Sequence, residues 1–282
     1  MPKKIVITAD SPVDLTPELA EKFNIAVIPL YVTIEDKTYK DGVDIFPEDI
    51  FKKYHEYGIL PHTSAIPISD YSEFFSGFVQ NGFAVVHLSL SSEISSTYQN
   101  AVIASDGLND VYIVDSRSLS MGITLLAVKA SEMRNNGLEA LEIAEALTAL
   151  REHIHASFVV DKLDFLRKGG RCSALTALGA NVLGIHPCIE MQNGILKLAK
   201  KYRGKIETVQ LQFLADQLSA SDNIDLEKAF ICHSGIPADQ LEVLRKLSKK
   251  SRNFSEVLVT QAGCTISTHC GPNCVGISFL EK

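Results

Sequence analysis

The sequence predicts an α/β protein of two domains, an N-terminal parallel-sheet domain and a C-terminal mixed-sheet domain. Three observations carry this. Up to about residue 153, short β-branched runs alternate with helical patterns, as in a parallel sheet with right-handed crossovers. Three of those runs end in hydroxyl or carboxyl residues, Asp10-Ser11, Ser91 to Ser96 and Asp115-Ser116. Ligands of such sheets sit beyond the carboxyl ends of the strands, so these groups could converge on one rim. Further on, Asn193-Gly194 is a strong hairpin signal between two extended runs, which brings in antiparallel pairing. The boundary is expected near residues 154–157, dividing 1–155 from 156–282.

Element by element, residues 4–8 form a short β-branched strand. Thr16-Pro17 reads as an N-cap with proline in the first helical position, opening a helix to about Phe23. Residues 25–33 are a second strand with Pro29 at an edge, and 36–44 a hairpin or loop. Pro47 opens a helix carrying Ile50, Phe51 and Tyr54. Residues 61–67 are a loop pinned by two prolines. Residues 69–82 are a helix with Tyr71, Phe74, Phe75 and Phe78 at helical spacing. The apolar run from Phe83 then feeds a hydroxyl-rich turn and a helix from Tyr98. That junction offers unpaired N–H groups and a positive dipole end to a carboxylate or phosphate. The blander reading is a serine cap and a turn. A strand over 110–114 and helices over 122–135 and 138–153 follow, the last with Ile143, Leu147, Leu150 and Ile154 on one face. In the second half, 158–160, 185–191, 195–202, 230–233, 257–260 and 275–280 read as extended. Residues 175–183, 207–218 and 237–249 read as helical.

Composition narrows the function. The 282 residues are 46% hydrophobic and 22% charged, ordinary for a globular chain with a sizeable core. A net charge of −7 argues against nucleic acid as a partner. Residues 5–7 are too short an apolar run for a signal-peptide core, and no run approaches a membrane span, so a cytoplasmic protein is expected. The six cysteines show no CxxC and read as reduced thiols.

Several groups could carry chemistry. Residues 262–274 hold His269 beside Gly271-Pro272, on what reads as a loop. His269 could donate to an anion, satisfy a carbonyl, or join Cys264, Cys270 and Cys274 around zinc, although that spacing fits no standard ligand pattern. A metal cluster of Asp10, Asp14 and Asp115 is weaker than caps at those positions. A Ser–His nucleophilic pair is conceivable without a Gly-x-Ser-x-Gly elbow. Arg167, Lys168 and Arg171 around Gly169-Gly170, and Lys200, Lys201, Arg203 and Lys205, are either a solvated face or a basic mouth for a phosphate or acidic partner.

Taken in order, Asp10-Ser11 with Asp14-Leu15, Thr63-Ser64, Ser91-Ser92-x-x-Ser95-x-Thr97-Tyr98, Asp115-Ser116-Arg117, Lys168-Gly169-Gly170-Arg171, Arg203-Gly204 and His269-x-Gly271-Pro272 resemble the DegV family of bacterial fatty-acid-binding proteins. They run nearly end to end. The resemblance implies two α/β domains with a long-chain fatty acid, such as one of about 16–18 carbons, buried between them. It puts the carboxylate at Thr63 and Ser95, with Ser64, Ser96, Thr97 and Gly271 as neighbours. It implies a carrier that is not itself an enzyme and presents the acid to a separate fatty acid kinase, which makes an acyl phosphate for phospholipid metabolism. Arg171, Arg203 and His269 would face that kinase and the phosphate. No cofactor or metal is implied, and at most transient membrane contact. The alternative is a hydrolase or phosphotransferase using Ser95 and His269. An alkyl tail would supply most of the affinity, at about 0.8 kcal/mol per buried CH₂, and helices around Phe74, Phe75 and Phe78 and around residues 123–126 are candidate tunnel walls. The chain departs from the family pattern at Ser96, where glycine is usual and a positive φ would make serine costly. Asn273 also replaces a glycine, and His186 a lysine.

Overall fold

The computed structural model describes residues 3–171 and 184–282. The helix expected over 175–183, and Cys172, lie outside the described residues. In chain order the elements are β1 (Lys4–Asp10), a 3-10 turn (Ser11–Val13), α1 (Pro17–Phe23), β2 (Ile25–Ile28), β3 (Tyr31–Ile34), β4 (Lys37–Lys40), α2 (Pro47–Tyr57), β5 (His62–Ser64), α3 (Ile68–Gln80), β6 (Phe83–Ser89), α4 (Thr97–Ser105), β7 (Val111–Asp115), α5 (Met121–Asn135), α6 (Ala140–Leu150), a second 3-10 turn (Arg151–His153) and β8 (Ile154–Val159). They continue with α7 (Leu163–Gly169), β9 (Ile185–Gln192), β10 (Ile195–Arg203), α8 (Ile206–Ser219), β11 (Ile224–Ser234), α9 (Ala238–Arg252), β12 (Glu256–Gln261), α10 (Cys264–Cys270) and β13 (Cys274–Glu281).

The expected two kinds of sheet are present. Strands β2-β1-β6-β7 form a wholly parallel sheet, and β10-β9-β8-β13-β11-β12 a mixed one. Asn193 and Gly194 both adopt positive φ, 53° and 84°, the two-residue turn that matches strand twist between β9 and β10. Thr16 caps α1 by accepting from the Leu19 amide at 3.3 Å. Helix α5 is buried on nearly every side because it packs on β1 and β6 of one sheet and on β8, β11 and β13 of the other. One apolar cluster therefore runs from Val86 and Leu88 through Leu119 and Met121 to Phe158, Ile189 and Phe230.

Several expectations are corrected. The strand read over 25–33 is two strands, because Pro29 breaks the ladder. β2 edges the parallel sheet, while β3 leaves it for a third, antiparallel sheet β4-β3-β5. The proline-pinned loop supplies β5 of that small sheet, with Thr63 opposite Val32. Ile154 opens β8 and does not share the face of α6. Leu163 to Gly169 are helical, ended by Gly170 at φ 67°. Residues 264–270 are helix α10, so His269 stands in a last helical turn and not on a loop.

Candidate functional site

Two adjoining cavities lie where the sheets meet. The first, of about 70 Å³, is lined by Thr63, Ser64, Ser95, Arg171 and His269 among the apolar side chains of Leu30, Leu90, Ile94, Leu119, Leu166, Leu196 and Ile266. The second, of about 40 Å³, shares Leu119, Leu166, Leu196, Ile266 and His269 and continues to Met121, Phe158, Cys232, Cys274 and Gly276. The space is polar at one end and apolar beyond. Exposed Arg171 marks the polar mouth.

Four elements deliver the polar groups. Thr63 comes from β5, Ser95 from the turn before α4, His269 from α10, and Arg171 from the segment after α7. Thr63 Oγ1 and His269 Nε2 are hydrogen-bonded at 2.9 Å. His269 Nδ1 is buried without a hydrogen-bond partner among the described residues. It faces Gly169, where a Cβ would stand 2.1 Å from it. Burial holds the His269 imidazole down at about 4, and the nearby charges of Arg171 and His62 push the same way, so the ring is neutral near pH 7. With the proton on Nε2, His269 donates to Thr63 and leaves the threonine proton to point into the cavity. Ser95 is supported in the same manner. Its Oγ accepts from the Thr97 amide at 3.2 Å and shares a 2.6 Å hydrogen bond with Thr97 Oγ1. In that tautomer, and with Thr97 Oγ1 as the donor to Ser95, both hydroxyls have a proton to give to an acceptor such as a carboxylate oxygen.

The other anticipated residues take different places. Ser96 is exposed at φ −76°, so the family's glycine is not needed for a positive φ here. Thr97 is buried behind Ser95. Gly271, at φ 71° and ψ −177°, is a backbone requirement, since a Cβ there would meet the Phe165 ring at 2.6 Å. Arg203 is exposed at the end of β10 and does not line either cavity. Asn273 takes the left-handed region at φ 59°. His186 ties β9 to the carbonyls of Val160 and Gly204.

Three readings of the sequence do not hold in this geometry. Ser95 bonds to Thr97 and His269 to Thr63, so the Ser–His pair required for nucleophilic attack is not assembled. Asp10, Asp14 and Asp115 accept from the backbone amides of Leu90, Gly263 and Arg117, and no group of three metal-ligating side chains occurs among the described residues. Phe75 stacks on Tyr71, and Phe74 and Phe78 pack on each other, all in core. Neither they nor residues 123–126 line the cavities, whose walls are gathered from many separate segments of the chain. Sequence reasoning missed Leu119, Leu166, Leu196 and Ile266 for that reason, and missed Gly169, whose signal was the Gly-Gly pair. Alanine at Gly169 is expected to push His269 off Thr63 and to cost about 1–3 kcal/mol of stability. Urea unfolding and the His269 ring ¹⁵N shifts check this, and an unchanged spectrum contradicts it.

Fold and site together define an α/β protein with two adjoining cavities, apolar along their length and hydroxyl-lined at one end. The chain belongs to the DegV family: the family model described as "Uncharacterised protein, DegV family" matches residues 4–282. It is 32% identical to a DegV domain-containing protein of Caldanaerobacter subterraneus, over 99% of this chain and 100% of the relative. It is also 32% identical to a fatty acid-binding protein of Thermotoga maritima, over 99% of both chains. Among solved structures it resembles a DegV family protein from Thermus thermophilus described for fatty acid binding, at TM-score 0.89 and 26% identity, over 99% and 100% of the two chains. A DegV lipid-binding protein from Thermotoga maritima matches at TM-score 0.86 and 31% identity, over 99% and 98%. No helix among the described residues is long and apolar enough to cross a membrane.

Proposed function

We propose that this chain binds one long-chain fatty acid, with its carboxylate on Thr63 and Ser95 and its tail along the joined cavities. The observation that carries the reading is the placement of the Thr63 and Ser95 hydroxyls at one end of an apolar space. The fatty acid-binding relatives support it. A water-sized group needs about 10–15 Å³, so each cavity now holds only a few methylenes. A chain of about 16 carbons is accommodated as side chains such as Leu196 and Met121 change rotamer, with roughly 10 kcal/mol of tail burial to offset the ordering cost. In this proposal the acid is handed to a separate fatty acid kinase. Arg171 at the mouth and exposed Arg203 meet the kinase and the acyl phosphate, and the halves 1–155 and 156–282 act as two domains clasping the ligand.

Organic extraction of the purified protein followed by lipid mass spectrometry tests the binding. Stoichiometric fatty acid is expected in the wild type. Thr63→Ala/Ser95→Ala, which removes both donors, is expected to bind palmitate at least about tenfold more weakly. An empty wild type that also fails to take up added fatty acid overturns the reading.

A further inference from the structure

Helix α10 is an unlikely helix on local grounds. It has seven residues, three of them β-branched (Thr265, Ile266 and Thr268), and no side chain of its own N-cap residue, Gly263, caps it. Its first amides are satisfied from far along the chain. Asp41 Oδ1 accepts from the Cys264 amide at 2.7 Å, and Asp41 Oδ2 from the Thr265 amide at 3.0 Å. A carboxyl group with both oxygens on the positive end of a helix is well placed by charge as well as by hydrogen bonding.

Asp41 is itself held firmly. It follows β4, its amide donates to the Leu30 carbonyl at 2.9 Å, and Oδ2 also accepts from Ser11 Oγ at 3.0 Å. It is buried, and Ser11 Oγ in turn accepts from the Leu30 amide at 3.0 Å. The same three-stranded sheet presents Thr63 on β5. At the other end of α10, about 7.5 Å along the axis, His269 is bonded to that Thr63. The helix is thus clipped at both ends to one small sheet, by Asp41 at its start and Thr63 at its last turn. Cys264 strengthens the first clip by donating its thiol to the Ile45 carbonyl at 3.1 Å.

We propose that Asp41 is a positioning residue of the mouth: by fixing the N-terminus of α10 to the sheet that carries Thr63, it sets the register of the Thr63–His269 pair. Asp41 lines neither of the two cavities; it reaches the mouth through α10 and, by its amide and Ser11, through the backbone of Leu30. Its consequence for ligand affinity rests on the fatty acid reading above, whereas its effect on His269 does not. Asp41→Asn keeps the shape but turns an amide donor toward one of two backbone donors.

Three readouts test this. In the wild type, the Cys264 and Thr265 amides have no intrahelical acceptor, yet they should be as protected from hydrogen exchange as the Ser267 amide inside α10 and the Gly271 amide that closes it. Exchange at the unprotected rate overturns the proposal and requires no variant to fold. In Asp41→Asn, the His269 ¹⁵N shifts should move from those of one dominant tautomer toward the tautomeric average, and unchanged shifts overturn it. Palmitate affinity should fall about tenfold in Asp41→Asn but less than about twofold further when the change is made in Thr63→Ala. An equal tenfold loss in both backgrounds makes Asp41 a general stabiliser and overturns the positioning role. If palmitate binds neither protein, the fatty acid reading has failed, and the exchange and ¹⁵N results alone decide on Asp41.

Discussion

Replacing Asp10 with alanine is expected to lower the unfolding free energy by about 3–5 kcal/mol, the cost of stranding several buried donors at once. Asp10 is fully buried at the end of β1. Oδ2 accepts from Ser89 Oγ and from the Leu90 amide, both at 2.8 Å. Oδ1 accepts from His87 Nε2 at 3.0 Å and from the Tyr71 hydroxyl. His87 Nδ1 shares a further hydrogen bond with Thr8 Oγ1 at 2.9 Å. The network fastens the carboxyl ends of β1 and β6 to α3, and Leu90, one residue past β6, lines the mouth cavity. Asparagine at position 10 is not a remedy, since its amide would face two donors whichever way it turned. For a chain of this size the loss corresponds to a fall in Tm of about 10 °C. Urea and thermal unfolding measure it, and a change below about 1 kcal/mol would show that the network contributes little. Thr8, His87 and Asp10 resemble a hydrolase triad in their bonding, but all three are buried and none lines either cavity.

Asp10 also shows where sequence reading succeeds and where it stops. Strand–helix alternation correctly announced a parallel sheet, because period and punctuation are local properties, as were the Thr16-Pro17 cap and the Asn193-Gly194 turn. A carboxyl group at a strand end is compatible with a ligand rim or a local cap, and only the tertiary packing of Tyr71, His87 and Ser89 around it turns it inward. Helix α10 escaped for the converse reason: its β-branched residues argue against a helix, and the cap that rescues it lies more than two hundred residues away at Asp41. Of the mouth residues, Thr63 is marked by the ordered family motifs alone, whereas His269 and the junction that holds Ser95 are also legible as anion donors. Nothing in their spacing predicts that β5, the α4 turn and α10 meet. The apolar walls had no motif at all, since Leu119, Leu166 and Leu196 come from separate segments with no common period, whereas the periodic Phe74, Phe75 and Phe78 were core.

Stability is expected to peak near pH 6–6.5 and to decline toward pH 8, and Asp14→Asn should abolish the decline. Burial is the main force that raises the Asp14 carboxyl to about 8, and Asp41 nearby adds to it against hydrogen bonds from Ser120 and the Gly263 amide. Between its ordinary value near 3.8 and about 8, folded Asp14 keeps a proton that the unfolded chain has lost, so this group's contribution falls as pH rises. His269 and His233 act in the opposite sense. Burial lowers both from 6.5 to about 4, so between those values the unfolded chain binds protons that the folded one refuses, and stability grows with pH. His155, lowered mainly by burial, adds a third rising contribution, so the histidines outweigh Asp14 below about pH 6.5, and above it the decline from Asp14 dominates. The expected slope there approaches about 1.4 kcal/mol per pH unit. Asp14→Asn should therefore gain on the wild type by about 1.5–2 kcal/mol between pH 6.5 and pH 8, read as diverging urea midpoints. Parallel midpoints would mean that Asp14 is already ionised at pH 6.5. The distinction bears on the cavity, because Ser120, which donates to Asp14 at 2.5 Å, and Cys232, whose thiol lies 3.7 Å from the same oxygen, both line its apolar end. A neutral Asp14 keeps a full charge from forming behind the wall against which an alkyl tail would rest, and deprotonation would place one there.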